Sequence, residues 1–363
     1  MINRHEIRKP TIKDVARESG VSIATVTRVL QKSPKVSEET KRKIESAIKH
    51  LNYRPDLLAR ALVMRESRIL GLIVPSSSDQ YWGEIAAGVE ARAREFGYQI
   101  LLGNTGRDPD KERELAEHFL SHKVKGLIVG GASQASRAWL HDLGPAIKTV
   151  LVGWDAKTID DRHVLPALVE DLKSLSRSSP DLDSSDMEAE ILLTDDHAAA
   201  GRMAAYLVEL GHKEIVFLAG RLLRPAALML EGIQSELQRI GAWPCPVWRS
   251  DETFEAGRTA ARQILEQSSR PTAIFAYNDV LAIGAMRGAR EAGLSIPKDI
   301  TIVGFDDIEA ARFVEPPLTT VRSPKRMFGA RAVDYLLTAE PDVKGTSTEF
   351  ELVIRSSSSC PSR

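Results

Sequence analysis

The residues with the clearest chemistry lie on the outer side of one short predicted helix near the N-terminus. Ser22 is a good N-cap for it, and Val26, Val29 and Leu30 recur at the spacing of a helix that buries one face. The opposite face offers hydrogen-bond donors, acceptors and small apolar groups, and no acid: Ser22, Ile23, Ala24, Thr25, Thr27, Arg28 and Gln31. Base edges in the DNA major groove present complementary hydrogen-bond sites and a thymine methyl. The face therefore predicts base reading, and the plainer alternative is a surface helix pair without function.

A preceding helix and a tight turn are predicted to position that face. Thr11 stands where an N-cap belongs, Val15 and Ala16 supply an apolar stripe, and Gly20 suits a turn that most residues adopt only at a cost. A third helix begins after Ser37. The pattern predicts an all-α helix-turn-helix headpiece over residues 1–52, with the motif at about 12–31.

Charge separates this region from the rest of the chain. Residues 1–66 contain 15 Lys and Arg against 8 Asp and Glu, a net charge of +7, whereas the remainder contains 34 against 42, a net charge of −8. A basic arm on an acidic body indicates a polyanion-binding segment. We expect contacts to the DNA backbone from Thr11, Gln31, Lys35, Tyr53 and Arg60.

Thr11 to Leu62 closely resembles the headpiece and hinge of the LacI/GalR family of bacterial transcription regulators. The shared runs are Asp14-Val15-Ala16, Gly20-Val21-Ser22, Thr25-Val26-Thr27-Arg28-Val29-Leu30 and the hinge entry Tyr53-Arg54-Pro55. The resemblance implies that Ile23 and Ala24 are the chief base readers. It also implies that residues 53–67 are a hinge, and that Leu62 wedges into the minor groove of a palindromic operator. Asp56 departs from the Asn usual in the family, and an ordinary core leucine is the alternative role for Leu62.

The body alternates predicted strands and helices, which favours βαβ units on parallel sheets. This part resembles the family's sensor core, which is periplasmic-binding-protein-like: an α/β core of two doubly wound parallel-sheet lobes. We assign residues 68–155 plus about 306–322 to an N-terminal lobe, and residues 189–305 plus about 323–355 to a C-terminal lobe.

Residues 156–188 form an insertion relative to the family. Its first part has apolar residues at helical spacing, and a Ser/Asp-rich stretch follows. An inserted surface helix with a loose loop is the simpler interpretation, and a helix that contacts a partner or a second subunit is the alternative.

A ligand site is expected between the lobes, because open α/β sheets bind ligands beyond the carboxyl ends of their strands. A carboxylate at a strand-to-helix turn accepts hydrogen bonds from sugar hydroxyls, and the resemblance gives Asp279 that role; a helix N-terminal carboxylate is the alternative. The aromatic candidates match ligand-facing positions of relatives, although each would also suit a core. The full set of candidates is Tyr81, Trp82, Trp154, Asp195, Arg224, Asn278 and Asp279.

Two departures make this pocket atypical. Met229 stands where the family has a ligand-clamping Arg, and Glu252 stands where an aromatic is common. Arg224 or Arg221 is a possible substitute for that Arg. The family suggests a small, polar, sugar-like effector.

Other classes of protein are disfavoured by the sequence. No catalytic motif, cofactor fingerprint or metal-ligand spacing is present, so we expect neither an enzyme nor a metal site. Only Cys245 and Cys360 occur, and neither a spanning apolar run nor an apolar signal segment is found, which favours a cytoplasmic protein without membrane association. We therefore expect a homodimeric, effector-responsive repressor of operator DNA. The alternatives are a regulator of the same fold controlled by a protein partner and, more remotely, a solute-binding protein.

Overall fold

The computed structural model describes residues 10–30, 35–53, 67–131, 136–143, 147–153, 189–192, 195–220, 224–242, 244–338 and 350–362. The chain divides into two compact units, Met1–Ser67 and Arg68–Arg363, which we call the headpiece and the body.

The headpiece contains three helices around a small apolar core. They are α1 (Ile12–Ser19), α2 (Ile23–Leu30) and α3 (Glu38–His50). The start of α1 is fixed by Asp14, whose Oδ2 accepts hydrogen bonds from the backbone N and the Oγ1 of Thr11 at 2.9 and 2.7 Å. Gly20 ends α1 at a φ of 66°, which only glycine adopts without strain. One buried residue set joins the helices: Val15, Ala16, Val26, Ile44 and Ala47.

The body alternates strands and helices, as the sequence predicts. In chain order, its first half contains β1 (Ile69–Val74), α4 (Gln80–Glu95), β2 (Gln99–Asn104), α5 (Pro109–Ser121), β3 (Leu127–Gly130), α6 (Ser136–Leu143), β4 (Thr149–Val152) and β5 (Ala189–Leu192). Its second half contains α7 (Asp196–Glu209), β6 (Ile215–Ala219), α8 (Arg224–Arg239), β7 (Val247–Arg249), α9 (Phe254–Leu265), β8 (Ala273–Ala276), α10 (Asp279–Glu291), β9 (Thr301–Val303), a 3-10 turn (Glu309–Arg312), β10 (Thr320–Arg322), α11 (Lys325–Leu337) and β11 (Glu351–Val353).

Two parallel sheets organise these elements. The first has the strand order β2-β1-β3-β4-β5, and the second has the order β7-β6-β8-β9. Apolar clusters cover both faces of each sheet, which explains why strands such as β1 and β6 are almost continuously apolar. β10 and β11 form a separate antiparallel pair. We call the two sheets with their helices the first and second lobes.

Strand β5 corrects one domain assignment. The sequence analysis places residues from 189 onwards in the C-terminal lobe, but β5 pairs in parallel with β4, and Thr149 lies opposite Ala189. The first lobe therefore includes β5, residues 189–192. The misplacement arose because the insertion separates β5 from its sheet in sequence, and the chain crosses to the second lobe only after this strand.

The two C-terminal segments also pack mainly in the opposite lobes to those assigned from the sequence. Ile308, Ala311 and Leu318 pack in the core of the second lobe, although residues 306–322 were expected in the first. Phe328 and Val333 of α11 pack in the core of the first lobe, although residues 323–355 were expected in the second. β11 does stay with β10, as its pairing shows. The crossing between lobes therefore lies at about residues 323–324.

Two glycines allow α11 to lie directly against α4. A Cβ on Gly88 would come within 2.1 Å of the Arg326 carbonyl oxygen, and a Cβ on Gly329 within 2.2 Å of the Ile85 carbonyl oxygen. The helix backbones therefore touch, and any larger residue would force them apart. This contact holds α11 on the first lobe.

No helix in the described part of the chain is long and apolar enough to cross a membrane.

Candidate DNA-reading surface and candidate effector cleft

Helix α2 presents the predicted reading face to solvent. Val26 is fully buried, whereas Ser22, Ile23, Ala24 and Arg28 are exposed. Ile23 keeps 43% of its surface exposed, which is unusual for a β-branched apolar side chain in a small domain. An exposed apolar group of this kind suits contact with a thymine methyl.

Two threonines of α2 have local hydrogen bonds that orient their hydroxyls. Thr25 Oγ1 lies 2.9 Å from Ser22 Oγ, and Thr27 Oγ1 donates to the Ile23 carbonyl at 2.9 Å. Both residues are half-buried, so the edge of the reading face is preorganised. The described positions of the predicted face therefore lie together on one side of α2; Gln31 lies outside the described residues.

The predicted backbone contacts are only partly described. Lys35 is exposed and Tyr53 is half-buried, and the backbone N of Tyr53 donates to the Ile48 carbonyl at 2.9 Å. Thr11 is half-buried with its hydroxyl committed to Asp14. Arg60 and Leu62, with the hinge, lie outside the described residues.

The effector cleft is located by sheet topology. In both sheets the strand order reverses next to the first strand, between β1 and β3 in one and between β6 and β8 in the other. Ligands bind at such switch points, beyond the carboxyl ends of the strands. Tyr81 in α4 follows β1, and Tyr277 directly follows β8, so each lobe contributes a tyrosine at its switch point.

The two tyrosines share a set of carboxyl groups. Burial raises the pKa of the Tyr81 hydroxyl well above its usual value, and Asp306, Asp196 and Asp79 raise it further. Burial likewise raises the pKa of Tyr277, and Asp196 and Asp306 again contribute. Asp196 and Asp306 raise the pKa of both hydroxyls, so these two acids lie near the tyrosines of both lobes. This group of hydroxyls and carboxyls forms the candidate cleft.

Asp306 is the cleft residue that the sequence analysis missed. It follows β9, and its φ of 105° places it in a backbone conformation that disfavours side chains. Burial raises the pKa of its carboxyl well above the usual value, and nearby Asp279 adds to this, against the opposing effect of Lys325. Lys325 Nζ donates to the Asp306 carbonyl oxygen and so holds the residue's backbone in place.

Asp279, the acid expected to bind the effector, is closed off from the cleft in this structure. It is 0% exposed, and its two oxygens accept hydrogen bonds from Thr320 Oγ1 at 2.6 Å and from the Ile308 backbone N at 2.8 Å. Burial raises the pKa of its carboxyl to about 7, against those two hydrogen bonds. The alternative structural role fits better, because Asp279 joins the start of α10 to the segment after β9.

Three other candidates also have structural roles. Asn278 Oδ1 accepts from the Leu281 N at 2.9 Å, and Asp195 Oδ1 accepts from the Ala198 N at 2.9 Å, so both cap helices. Trp82 is 7% exposed and packs in the first-lobe core, where its ring fills the space above Gly130. These residue types are typical of ligand sites, but helix capping and core packing use them equally often.

The remaining candidates lie beyond what the structure describes. Trp154 lies outside the described residues, and so does the side chain of Arg224. Met229, which replaces the expected Arg, is buried in the second-lobe core. A ligand-clamping cation is therefore absent at that position.

A salt bridge joins the lobes across the cleft. Arg107, just after β2, places its guanidinium 2.5 Å from Glu252, which follows β7. Burial and Glu252 raise the pKa of Tyr277 and Arg107 opposes this increase, so the pair lies near Tyr277. Neither residue was predicted to act together with the other, since Glu252 was noted only as a departure.

A second polar network supports the segment after β9. Burial opposes ionisation of Asp307, but hydrogen bonds from Arg355 and Arg322, at 2.5 and 2.7 Å, lower the pKa of its carboxyl. Arg355 also donates to the Leu318 carbonyl at 2.7 Å. The network fixes the backbone that carries Asp306.

A groove of about 610 Å³ opens beside the cleft. The start of α4, the segment from 307 to 312 and the start of α11 bound it, and Asp79 and Lys325 line both the groove and the cleft. The groove therefore exposes the side of the cleft that Asp79 and Lys325 form.

One sequence signal identifies the missed residues. Arg107, Glu252, Tyr277 and Asp306 all lie within four residues after the end of a parallel strand. Asp279 lies there too, but at the first residue of a helix, where a buried carboxylate is often a structural group. A position just after a strand end therefore predicts that a residue lines the cleft. The burial of its side chain then distinguishes a ligand-binding role from a structural one.

Comparisons with known proteins match both the headpiece and the body. Residues 11–56 match the model "Bacterial regulatory proteins, lacI family", and residues 204–358 match "Periplasmic binding protein-like domain". The chain is 34% identical over 333 residues to the ribose operon repressor of Escherichia coli (strain K12), covering 90% of this chain and 92% of the relative. It is 33% identical over 347 residues to the transcriptional repressor PurR of Vibrio atlanticus (strain LGP32), covering 94% and 95%.

A solved structure shows the same architecture. The lac repressor dimer bound to operator and the anti-inducer ONPF matches with a TM-score of 0.81 and 27% identity, over 97% of this chain and all of that chain. With the headpiece and the two-lobed body, these matches show that the chain belongs to the LacI family of bacterial regulatory proteins, which are DNA-binding transcriptional regulators.

Proposed function

We propose that this chain is an effector-responsive repressor that acts in the cytoplasm as a homodimer on a palindromic operator. The observation that carries the proposal is the exposed, acid-free face of α2 in a chain that matches named repressors over 90% or more of its length. A dimer with two-fold symmetry places one headpiece on each half-site, so the operator is expected to be an inverted repeat. The proposed role is regulation and not catalysis.

The base readers we propose are the exposed residues of α2 with the two threonines beside them. Ser22, Ile23, Ala24, Thr25, Thr27 and Arg28 form this set. Thr11, Gln31, Lys35, Tyr53 and Arg60 are proposed to contact the DNA backbone. Phosphate contacts add affinity without sequence preference, whereas base contacts discriminate between sequences.

Selection of DNA sites by the full-length protein tests this proposal. From a random double-stranded library, we expect enrichment of one inverted repeat; a failure to enrich any sequence would contradict sequence-specific binding. On the selected site, Thr27→Ala should weaken binding more than on random DNA. Lys35→Ala should weaken both equally and lower the salt dependence by about one counterion.

Leu62 is proposed to wedge between base steps at the centre of the operator. An inserted apolar side chain kinks the duplex and allows more contact, so Leu62→Ala should weaken binding to the selected site far more than to random DNA. Binding is measured by fluorescence anisotropy on both DNAs. Equal losses on the two DNAs would exclude the wedge.

The second half of the proposal is a small, polar, sugar-like effector in the cleft between the lobes. Support comes from the convergence of Tyr81, Tyr277, Asp196 and Asp306, and from relatives such as the ribose operon repressor. The effector couples to operator binding, and the coupling is reciprocal. A thermal-shift screen of sugars, sugar phosphates and purines identifies it, since a ligand of the folded state raises the unfolding temperature.

A further inference from the structure

Two residues that the family pattern does not predict face each other across the cleft. Arg107 belongs to the first lobe and Glu252 to the second, and their side chains are 2.5 Å apart. The Glu252 side chain is only 6% exposed and that of Arg107 is 31% exposed, so the ion pair is substantially shielded from water. Shielding strengthens such a pair relative to those on the surface.

Arg107 is held in place by a rigid turn. Gly106 and Arg107 both have positive φ, 62° and 65°, the second of which is a costly conformation for a residue with a side chain. The turn is tied to the first sheet because Thr105 N and Gly106 N donate to the carbonyls of Val74 and Pro75 at 3.0 and 2.9 Å. Thr105 Oγ1 in addition accepts from the Arg107 N at 3.0 Å. The guanidinium is thus aimed by a fixed backbone across the cleft.

The side chain of Glu252 packs closely against the backbone of the second lobe. A Cβ on Gly220, the residue that follows β6, would lie 2.7 Å from Glu252 Cγ and 2.8 Å from its Oε1. The missing side chain of Gly220 therefore provides the space in which Glu252 lies. This places the carboxylate at the switch point of the second sheet, where a ligand would bind.

We infer that Arg107 is a built-in occupant of the effector cleft, which bonds Glu252 and holds the lobes together when no effector is bound. An effector that replaces Arg107 at Glu252 has to offer hydrogen-bond donors or a positive charge there, so an anionic group cannot take that position. Neutral polyols and amino sugars fit this requirement, whereas a ligand whose only polar groups are anionic does not. This ligand-class statement rests on the proposed function, whereas the bridge between the lobes does not.

Further carboxyl groups near the bridge favour a ligand that donates hydrogen bonds. Asp79, Asp196 and Asp306 lie within electrostatic reach of Tyr81, and Glu252 lies within reach of Tyr277. The nearby cations are engaged with protein groups: Arg107 bonds Glu252, and Lys325 Nζ donates to the Asp306 carbonyl and lies 3.7 Å from Glu84. A ligand at Glu252 therefore meets carboxyl groups from both lobes.

The distance between the lobes tests the bridge without DNA or effector. Spin labels are attached to cysteines at Glu114 in α5 and Gln263 in α9, both exposed, in full-length protein with Cys360→Ser; Cys245 is buried. Pulsed electron paramagnetic resonance should give one narrow distance for the unsubstituted pair. Arg107→Gln and Glu252→Gln should each broaden and shift this distance, and the double variant should do no more than either single one.

Two further variants make the result specific. Gly220→Ala should open the lobes without changing any charge, because its methyl group displaces Glu252. Arg113→Gln breaks the 2.9 Å pair with Glu117 inside α5 and should leave the distance unchanged. Lobes that keep the original distance in Arg107→Gln, Glu252→Gln and Gly220→Ala would overturn the inference, as would an effect of Arg113→Gln of similar size.

The ligand class is tested with whatever compound the thermal-shift screen identifies. Arg107→Gln should bind that compound several-fold more tightly, because the competing group is gone. Unchanged affinity of Glu252→Gln for that compound would overturn the ligand-class part, because the compound is inferred to donate to the Glu252 carboxylate. If the screen yields no ligand, the proposed effector control fails while the distance measurement still decides the bridge.

Discussion

Asp279 and Asp306 show how the same side chain takes different roles at neighbouring strand ends. Asp279 is fully buried and both of its oxygens accept hydrogen bonds from the protein, whereas Asp306 is half-buried between the two cleft tyrosines. A carboxylate whose acceptor sites are occupied gains little from a ligand. Asp306 is therefore the acid that we propose contacts the effector, and Asp279 supports the backbone beside it.

Substitution of each acid separates these roles. Asp306→Asn should weaken effector binding up to about tenfold, because the amide replaces one acceptor oxygen of the carboxyl group with a donor. Asp279→Asn should lower the unfolding temperature but change the effector dissociation constant only a few-fold. Isothermal titration with the ligand from the screen measures both constants. A larger loss of effector affinity in Asp279→Asn than in Asp306→Asn would instead assign effector binding to Asp279.

Asp279 also predicts a pH dependence of stability. Its pKa of about 7 in the folded protein is above the ordinary value of about 4 for an unfolded chain. The folded state therefore holds a proton that the unfolded state releases, so this contribution is fully present below pH ~4 and is lost as pH rises towards 7. The loss is on the order of a few kcal/mol.

Urea unfolding at several pH values between 5 and 8 measures this dependence. The free energy of unfolding of the unsubstituted protein should fall with rising pH relative to that of Asp279→Asn, which cannot titrate. Parallel curves for the two proteins would show that Asp279 titrates normally.

At the scale of elements, the contact between α4 and α11 is the closest helix packing that joins distant parts of the sequence. Its two glycines allow backbone contact, and Arg92 of α4 adds a hydrogen bond to Asp334 of α11 at 2.7 Å. Phe328 and Val333 then complete the core over the first sheet. The first lobe consequently depends on a helix encoded near the end of the chain.

Two glycines of α4 provide a matched test of this packing. Gly88→Ala should destabilise the protein by about 1–3 kcal/mol, because its methyl group would overlap the Arg326 carbonyl. A Cβ on Gly83 would come no closer than 3.8 Å to the Ser77 carbonyl, so Gly83→Ala should stabilise α4 by up to about 1 kcal/mol. Chemical unfolding measures both changes. Equal changes in the free energy of unfolding for the two variants would show that helix propensity, and not backbone contact, determines their stability.

The sequence predicts local elements well and their partners less well. Apolar runs such as Ile69–Val74 predict strands because both faces of a parallel sheet are buried. The positions of β5 and α11 could not be predicted in this way, since apolar periodicity does not say which sheet an element joins. The sequence predicts a cleft at the strand ends, but the roles of Asp279 and Trp82 could not be predicted, because they depend on burial that only the fold determines.

At the scale of the whole molecule, we propose that exposed aromatic residues on the second lobe belong to the subunit contact. Phe254 at the start of α9 is 51% exposed, and Phe313 after the 3-10 turn is 80% exposed. The backbone of Phe254 packs against Gly284 of α10, and Ile308 and Ala311 at the 3-10 turn share a core cluster with that helix. Large apolar side chains left in water mark interaction sites.

Charged substitutions at these aromatics should dissociate the proposed homodimer. Phe313→Asp and Phe254→Asp each place a charge in the expected interface, and sedimentation analysis should show a shift from dimer to monomer by at least tenfold in the dissociation constant. Gln263→Asp, exposed on the same helix as Phe254, is the control and should leave the dimer intact. Dimers that persist in both Phe variants would place the interface elsewhere.

The crossing of the chain near residues 323–324 has a consequence for synthesis on the ribosome. The headpiece is complete once its first three helices have emerged, whereas the first lobe stays open on one face until α11 is translated. Nascent chains therefore carry a finished DNA-reading unit long before the body that regulates it. Chains terminated before α11 would expose the apolar face that includes Ile85 and Val89, which is a surface that chaperones and proteases recognise.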